Sequence, residues 1–99
     1  MPPLSSPSIR ISEFKSLATR ESGEAARELV LKKLHEISVL VLDFSGAHLT
    51  PSFADEFVGR LAETLGAARF RSCIRLQGAD DETRPLLSQV VSRRLHRAR

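Results

Sequence analysis

The four consecutive apolar residues Val39, Leu40, Val41 and Leu42 run straight into Asp43-Phe44-Ser45-Gly46 and then into a helical amphipathic stretch. No other feature restricts the fold of this chain as much. An unbroken apolar run over residues 37–44 does not alternate, so it predicts a strand covered on both faces, at the centre of a helix-flanked sheet. Downstream, Phe53, Ala54, Phe57, Val58, Leu61, Ala62 and Leu65 recur at helical spacing and make one apolar stripe. Asp55, Glu56, Arg60 and Glu63 fall between them, with Glu56 four residues before Arg60, the favourable order for a surface pair. Two start signals compete for this helix. Thr50 before Pro51 reads as an N-cap with proline at the first helical position, and Ser52 with Asp55 reads as a capping box. Gly66 is its expected stop.

The remaining elements alternate with this unit. Ile9 and Ile11 alternate with polar neighbours, as in a short edge strand. Residues 13–18 fit either a continuation of that strand or a turn. Thr19 or Ser22 caps a first helix whose buried stripe is Ala26, Leu29, Val30 and Leu34, with Gly23 as a weak point near its start. Phe70, Ser72, Ile74 and Leu76 alternate with Arg71, Cys73, Arg75 and Gln77, which predicts a half-exposed strand. After a turn at residues 77–81, Leu86, Leu87, Val90, Val91 and Leu95 line a last helix over residues 82–97, in which Pro85 is tolerable in the first turn. The order strand, helix, strand, helix, strand, helix predicts an α/β fold: a small mixed or mostly parallel sheet flanked by about three helices, in two or three layers. Residues 1–7, rich in Pro and Ser, read as a mobile lead-in, and residues 8–99 as a single domain.

Ninety-nine residues suffice for one core. The longest apolar run is far too short for a bilayer, and the N-terminus lacks a basic-then-apolar signal, so the expected location is cytoplasmic, without a membrane partner. The single Cys73 excludes an intrachain disulfide and a cysteine-based zinc site, and is expected on the third strand. Charge is distributed unevenly. Up to Thr83 there are ten basic and twelve acidic residues; beyond it there are five arginines and no acid.

Asp43, Ser45, His48, Thr50, Ser52, Asp55 and Glu56 fall at the carboxyl end of the central strand and the start of the next helix, the edge at which open α/β sheets carry their sites. Asp43, His48 and a serine would formally make a hydrolytic triad. The chain lacks the nucleophile-elbow pattern and an oxyanion-loop signal, so catalysis is not expected. His35, His48 and His96 lie on three separate elements without metal-ligand spacing, and neither a metal nor a cofactor is expected. Arg93, Arg94, Arg97 and Arg99 form a basic end that can contact nucleic-acid phosphates, or simply complement the dipole of the last helix. No aromatic residue interleaves with them to stack on bases.

The run VLDFSGAHLTPSFADEFVGRL, residues 41–61, with LATRESGEAARELV at residues 17–30 before it, resembles the STAS-like domain, a relative of the sulfate transporter and anti-sigma factor antagonist family, in a subfamily of unassigned function. The resemblance implies a non-enzymatic regulatory module that binds a protein partner such as an ATPase-fold anti-sigma kinase, through the turn and helix start at residues 45–56. Anti-sigma factor antagonists are released when a serine at this helix start is phosphorylated. Their Asp-Ser-Ser-Gly turn falls on Pro51-Ser52-Phe53-Ala54, so Phe53 occupies the usual acceptor position. Phenylalanine cannot take a phosphate, which leaves Ser52 as the neighbouring hydroxyl, either an acceptor or a helix cap.

Overall fold

The computed structural model describes residues 7–97. Three parallel strands, β1 (Ser8–Arg10), β2 (Leu40–Asp43) and β3 (Ile74–Gln77), make one sheet in the order β1-β2-β3. Ile9 pairs with Leu42, and Leu42 with Leu76. Parallel neighbours need long crossovers. The first is α1 (Arg20–Lys33). The second is α2, which comprises Pro51–Ala54, a π-helical segment Asp55–Gly59 and Arg60–Leu65, followed by α3 (Ala67–Cys73). The last helix, α4, is Thr83–Arg97. The predicted α/β class and parallel sheet are therefore observed, with one helix more than expected among the described residues.

The extra helix corrects the third strand. Phe70 and Cys73 belong to α3, and only the second half of the predicted strand is extended. Gly66, at φ +84°, ends α2 and redirects the chain, and the next turn places Phe70 in the core. Arg71 and Ser72 lie on the exposed side of that turn. A short amphipathic helix and a half-buried strand produce nearly the same pattern over so few residues.

Layering departs from expectation as well. Ile9, Leu40, Leu42 and Ile74 share one face and join a core with Ala26, Val30, Phe53, Phe57, Leu61, Leu87 and Val90 from the helices. On the other face Ser8, Arg10, Arg75 and Gln77 are exposed, although Val41 between them is buried. The helices thus cover one face, giving two layers. Val41 is apolar because it sits in the middle strand between two neighbours, not because a helix lies over it.

Aromatic residues organise the core around Phe57, whose ring lies 5.6 Å from that of Phe53, 6.4 Å from Phe14 and 6.5 Å from Phe44, centroid to centroid. Two glycines let the flanking helices close on α2. A Cβ at Gly23 would come within 2.9 Å of the Glu56 Cβ, and one at Gly59 within 3.2 Å of the Val90 carbonyl. Gly23, a weakness by propensity, is thus the contact point of α1 with α2. The predicted α1 stripe is otherwise correct at Ala26 and Val30, whereas Leu29 is exposed. Thr19 and Ser22, competing caps in the sequence, act together. The Thr19 hydroxyl accepts from the Ser22 amide at 3.0 Å, and the Ser22 hydroxyl accepts from the Thr19 amide at 3.4 Å. Residues 11–13 form a 3₁₀ turn, so Ile11 extends the buried side of β1 without belonging to the strand.

Candidate functional site

At the carboxyl end of β2 the chain turns sharply and exposes a lip. Asp43 Oδ1 accepts from the Ser45 amide at 3.0 Å, which closes the turn and leaves Ser45, Gly46 and His48 exposed. The Ser45 amide and hydroxyl hold the Asp43 carboxyl below the usual carboxylate range, against a small opposing effect of burial. Ala47 points inward and is buried, so it braces the lip from below and is not available for apolar contact with a partner. Gly78, after β3, lies directly against this turn. Its φ is +78°, and a Cβ there would collide with the Ser45 hydroxyl and approach Asp43 Oδ1 to 2.5 Å. Beyond it, Asp80 Oδ1 accepts from the Glu82 and Thr83 amides at 3.1 and 2.7 Å, which seats the start of α4 beside the lip.

Thr50 opens α2. Its hydroxyl oxygen accepts from the Phe53 amide at 3.1 Å and donates to the Ala18 carbonyl at 2.7 Å, while its amide donates to the Leu17 carbonyl at 3.1 Å. One residue therefore caps α2 and pins the lip to the loop before α1. The competing start at Ser52 is not realised. Ser52 is the second residue of α2, half-buried, and has no side-chain hydrogen bond among the described residues. Phe53, at the acceptor position of the resembled motif, is fully buried.

Asp55 and Glu56 have a different environment from the one expected on the exposed side of a helix. Asp55 accepts from Arg94 through both carboxylate oxygens, at 2.9 and 2.7 Å, and from Arg20 at 3.0 Å. Glu56 accepts from Arg27 at 2.8 Å and from Arg20 at 3.3 Å. The carboxylates keep only 14% and 12% of their side-chain exposure, and Arg94 and Arg27 only 10% and 11%. Both acids open the π segment of α2. It lies between α1 and α4, so that Asp55 reaches Arg94 on α4 and Arg20 on α1, while Glu56 reaches Arg27 and Arg20 on α1. Hydrogen bonding by Arg94, ahead of the Arg20 contact and against burial, holds the Asp55 carboxyl down at about 2. Glu56 is lowered chiefly by Arg27. The expected Glu56–Arg60 surface pair is replaced by this network, and Arg60 lies 3.8 Å from Glu63 instead.

The same network divides the C-terminal arginines. Arg94 is buried against Asp55, whereas Arg93 and Arg97 are exposed. Arg99 lies outside the described residues, as does most of the lead-in predicted at residues 1–7. His48 makes no hydrogen bond to Asp43, Ser45 or Ser52 among the described residues, and no group of three metal-ligating side chains gathers there. No described helix is long and apolar enough to cross a membrane.

Residues 22–84, well over half of the chain, match the family model of the STAS-like domain of unknown function, DUF4325. The chain belongs to that family. The STAS-like match begins inside α1 and ends at the start of α4, so it spans β2, the lip, α2, α3 and β3. Neither the curated proteins nor the solved structures give a match. The STAS-like segment thus contains the whole lip together with Gly78 and Asp80. Sequence reading passed over those two because a glycine and an aspartate in a turn carry no functional signal of their own. The contact of Gly78 with residues 43–45 appears only once β3 lies beside β2.

Proposed function

We propose that this STAS-like domain is a cytoplasmic, non-enzymatic regulatory module that acts by binding a protein, such as an ATPase-fold kinase of the anti-sigma type. The observation that supports this reading is the lip itself. Ser45, Gly46, His48 and Pro51 are exposed, with Ser52 half-exposed beside them, on a turn fixed by Asp43, Thr50 and Gly78. A preorganised polar turn loses little entropy on docking, and its hydroxyl and imidazole groups provide directional contacts. Asp55 and Glu56 hold the frame under it, so the proposed contact surface narrows from residues 45–56 to residues 45–52.

Phosphate on Ser52 would lie in the first turn of α2, at the positive end of the helix dipole, where the Ser52 amide is the one not taken up by the Thr50 cap. It would add about two negative charges at the rim of the docking surface and oppose an acidic or tightly fitted partner. A nucleic-acid role for α4 has weaker support, since Arg94 is buried against Asp55 and leaves Arg93 and Arg97 as the exposed arginines of the last described turn.

Affinity capture from the source cell with wild-type, Ser45→Glu and His48→Glu baits, followed by titration of the purified partner, tests the proposal. The expected result is an ATPase-fold protein that binds wild type and binds either variant at least about tenfold more weakly, as for an unpaired charge introduced at the core of an interface. Capture of no such protein, or equal binding by all three baits, would refute it.

A further inference from the structure

A second surface lies away from the lip, at the open side of β3. There α3 and α4 stand apart over the end of the sheet and leave a groove of about 890 Å³. Its floor is apolar, formed by Phe70, Leu76, Leu87, Val91 and Leu95. Leu76, which shares the helix-covered face with Leu42, is 38% exposed for want of a neighbour on that side. The rim is basic, with Arg71, Arg84 and His96, and no carboxylate lines the groove among the described residues. Arg71 makes no ion pair among those residues, and Arg84 has only the fully exposed Asp81 at 3.8 Å and the Ala79 carbonyl at 3.2 Å.

The strand beside the groove is unfinished in the same direction. β3 has β2 on one side and no described strand on the other. Gln77 turns its carbonyl to the Phe44 amide, at 2.8 Å. By the alternation of a parallel ladder, Leu76 turns its own N–H and C=O outward. The carbonyl of Ile74, also on that edge, already accepts from the Arg75 guanidinium at 3.4 Å. Leu76 therefore combines an open pair of backbone groups with an exposed apolar side chain. Edges of this kind are where extended peptides add to sheets.

We propose that an extended, acidic segment of a partner protein adds to the free edge of β3 as a further strand, with alternate apolar side chains in the groove between α3 and α4. Because alternate side chains of a strand point to opposite faces, the carboxylates that meet Arg71, Arg84 and His96 at the rim are those flanking the two ends of this strand. Charge decides among occupants. A second copy would set the same basic rim against itself, which costs association energy. A nucleic acid would satisfy the rim but would place its polar backbone over an apolar floor whose one aromatic residue, Phe70, is only 8% exposed.

The test is titration of the whole 99-residue chain, labelled with ¹⁵N and ¹³C, with a short acetylated peptide of alternating valine and serine that carries glutamates at both ends, followed by amide and methyl shifts. Saturable shifts at Leu76, Gln77, Val91 and Leu95 are expected. Binding should weaken about tenfold in Arg84→Glu and in Leu76→Glu, and be unchanged in His48→Glu, which separates this groove from the lip. The first of these variants alters a side chain that is 70% exposed, so its fold is safe. Absence of saturable shifts would overturn the proposal, as would equal binding of the same peptide with lysines at its ends or shifts confined to residues 45–52. So would saturation of the same residues by oligothymidylate, or a peptide-free dimer that Leu76→Glu dissociates.

Discussion

Replacing Asp55 by Asn keeps the shape of the side chain and removes the charge on which three helices converge. The bond to Arg94, with Arg20 beside it, holds the wild-type carboxyl down at about 2 in the folded protein, against 3.8 for a free aspartate. At about 1.4 kcal/mol per pH unit, that difference stabilises the fold by roughly 2 kcal/mol near neutrality. The variant also leaves the Arg94 guanidinium, only 10% exposed, without its hydrogen-bonded carboxylate and with Glu63 at 3.7 Å as its remaining ion-pair partner. Removing the closer charge from a buried cation is costly, although Glu63 remains nearby and the Asn oxygen still accepts one hydrogen bond. The expected loss at pH 7 is about 2–3 kcal/mol, a fall in Tm on the order of 10–20 °C for a domain of this size.

Its pH dependence has a definite sign. A carboxyl with a depressed folded pKa binds fewer protons folded than unfolded, so its contribution is complete above about pH 4 and is lost as pH falls towards 2. The gap between wild type and Asp55→Asn should therefore narrow by about 1–2 kcal/mol between pH 5 and pH 2.5. Urea denaturation followed by circular dichroism measures both quantities. A difference below about 0.5 kcal/mol at pH 7, the usual range for surface substitutions, would refute the reasoning. So would a gap that does not change over the acid range. Replacing Asp55 and Arg94 together by Met should recover part of the loss, because no unpaired charge remains.

Thr50→Ala should cost about 1 kcal/mol through loss of the cap, and Ser52→Ala less than about 0.5 kcal/mol; the reverse order in urea titrations would make Ser52 the cap. Gly78→Ala should cost roughly 1–3 kcal/mol, from the left-handed backbone and the collision with Ser45, and should shift the Ser45 amide resonance. A neutral effect on both readouts would show that β3 and the lip are not in contact. Phe57→Ala, at the centre of the aromatic cluster, should cost about 3–5 kcal/mol by thermal or urea unfolding; a loss under about 1 kcal/mol would contradict the packing.

The central strand, the amphipathic helix after it and the order of elements were legible because their signals are local: an apolar run, a 3.6-residue stripe, a proline after a threonine. What escaped depends on distant partners. Asp55 and Glu56 read as solvated because nothing in the sequence places Arg94 and Arg27 opposite them, and the π segment that they open has no sequence signature. Leu29 fits the α1 stripe at helical spacing, yet it lies where no neighbouring element reaches. The second face of the sheet stayed open although Val41 is apolar, since a middle position between two strands is buried without a covering helix. In the lip, Asp43 and Ser45 could be picked out by their position after β2, whereas Gly78 acquires its role only from the β2–β3 register. The phosphoacceptor question divides in the same way. Phe53 was visible as a departure from the motif, and its complete burial explains why a hydrophobe stands there.

The claim that the lip is a protein-docking surface is tested most directly by titrating a captured ATPase-fold partner into the ¹⁵N-labelled chain and mapping the amide shifts. Shifts or broadening centred on Ser45, Gly46, His48 and Ser52, absent when Ser45→Glu is titrated, are the expected result. Binding that leaves these amides unmoved and perturbs Arg93 and Arg97, or the open face at Arg10 and Arg75, would contradict it.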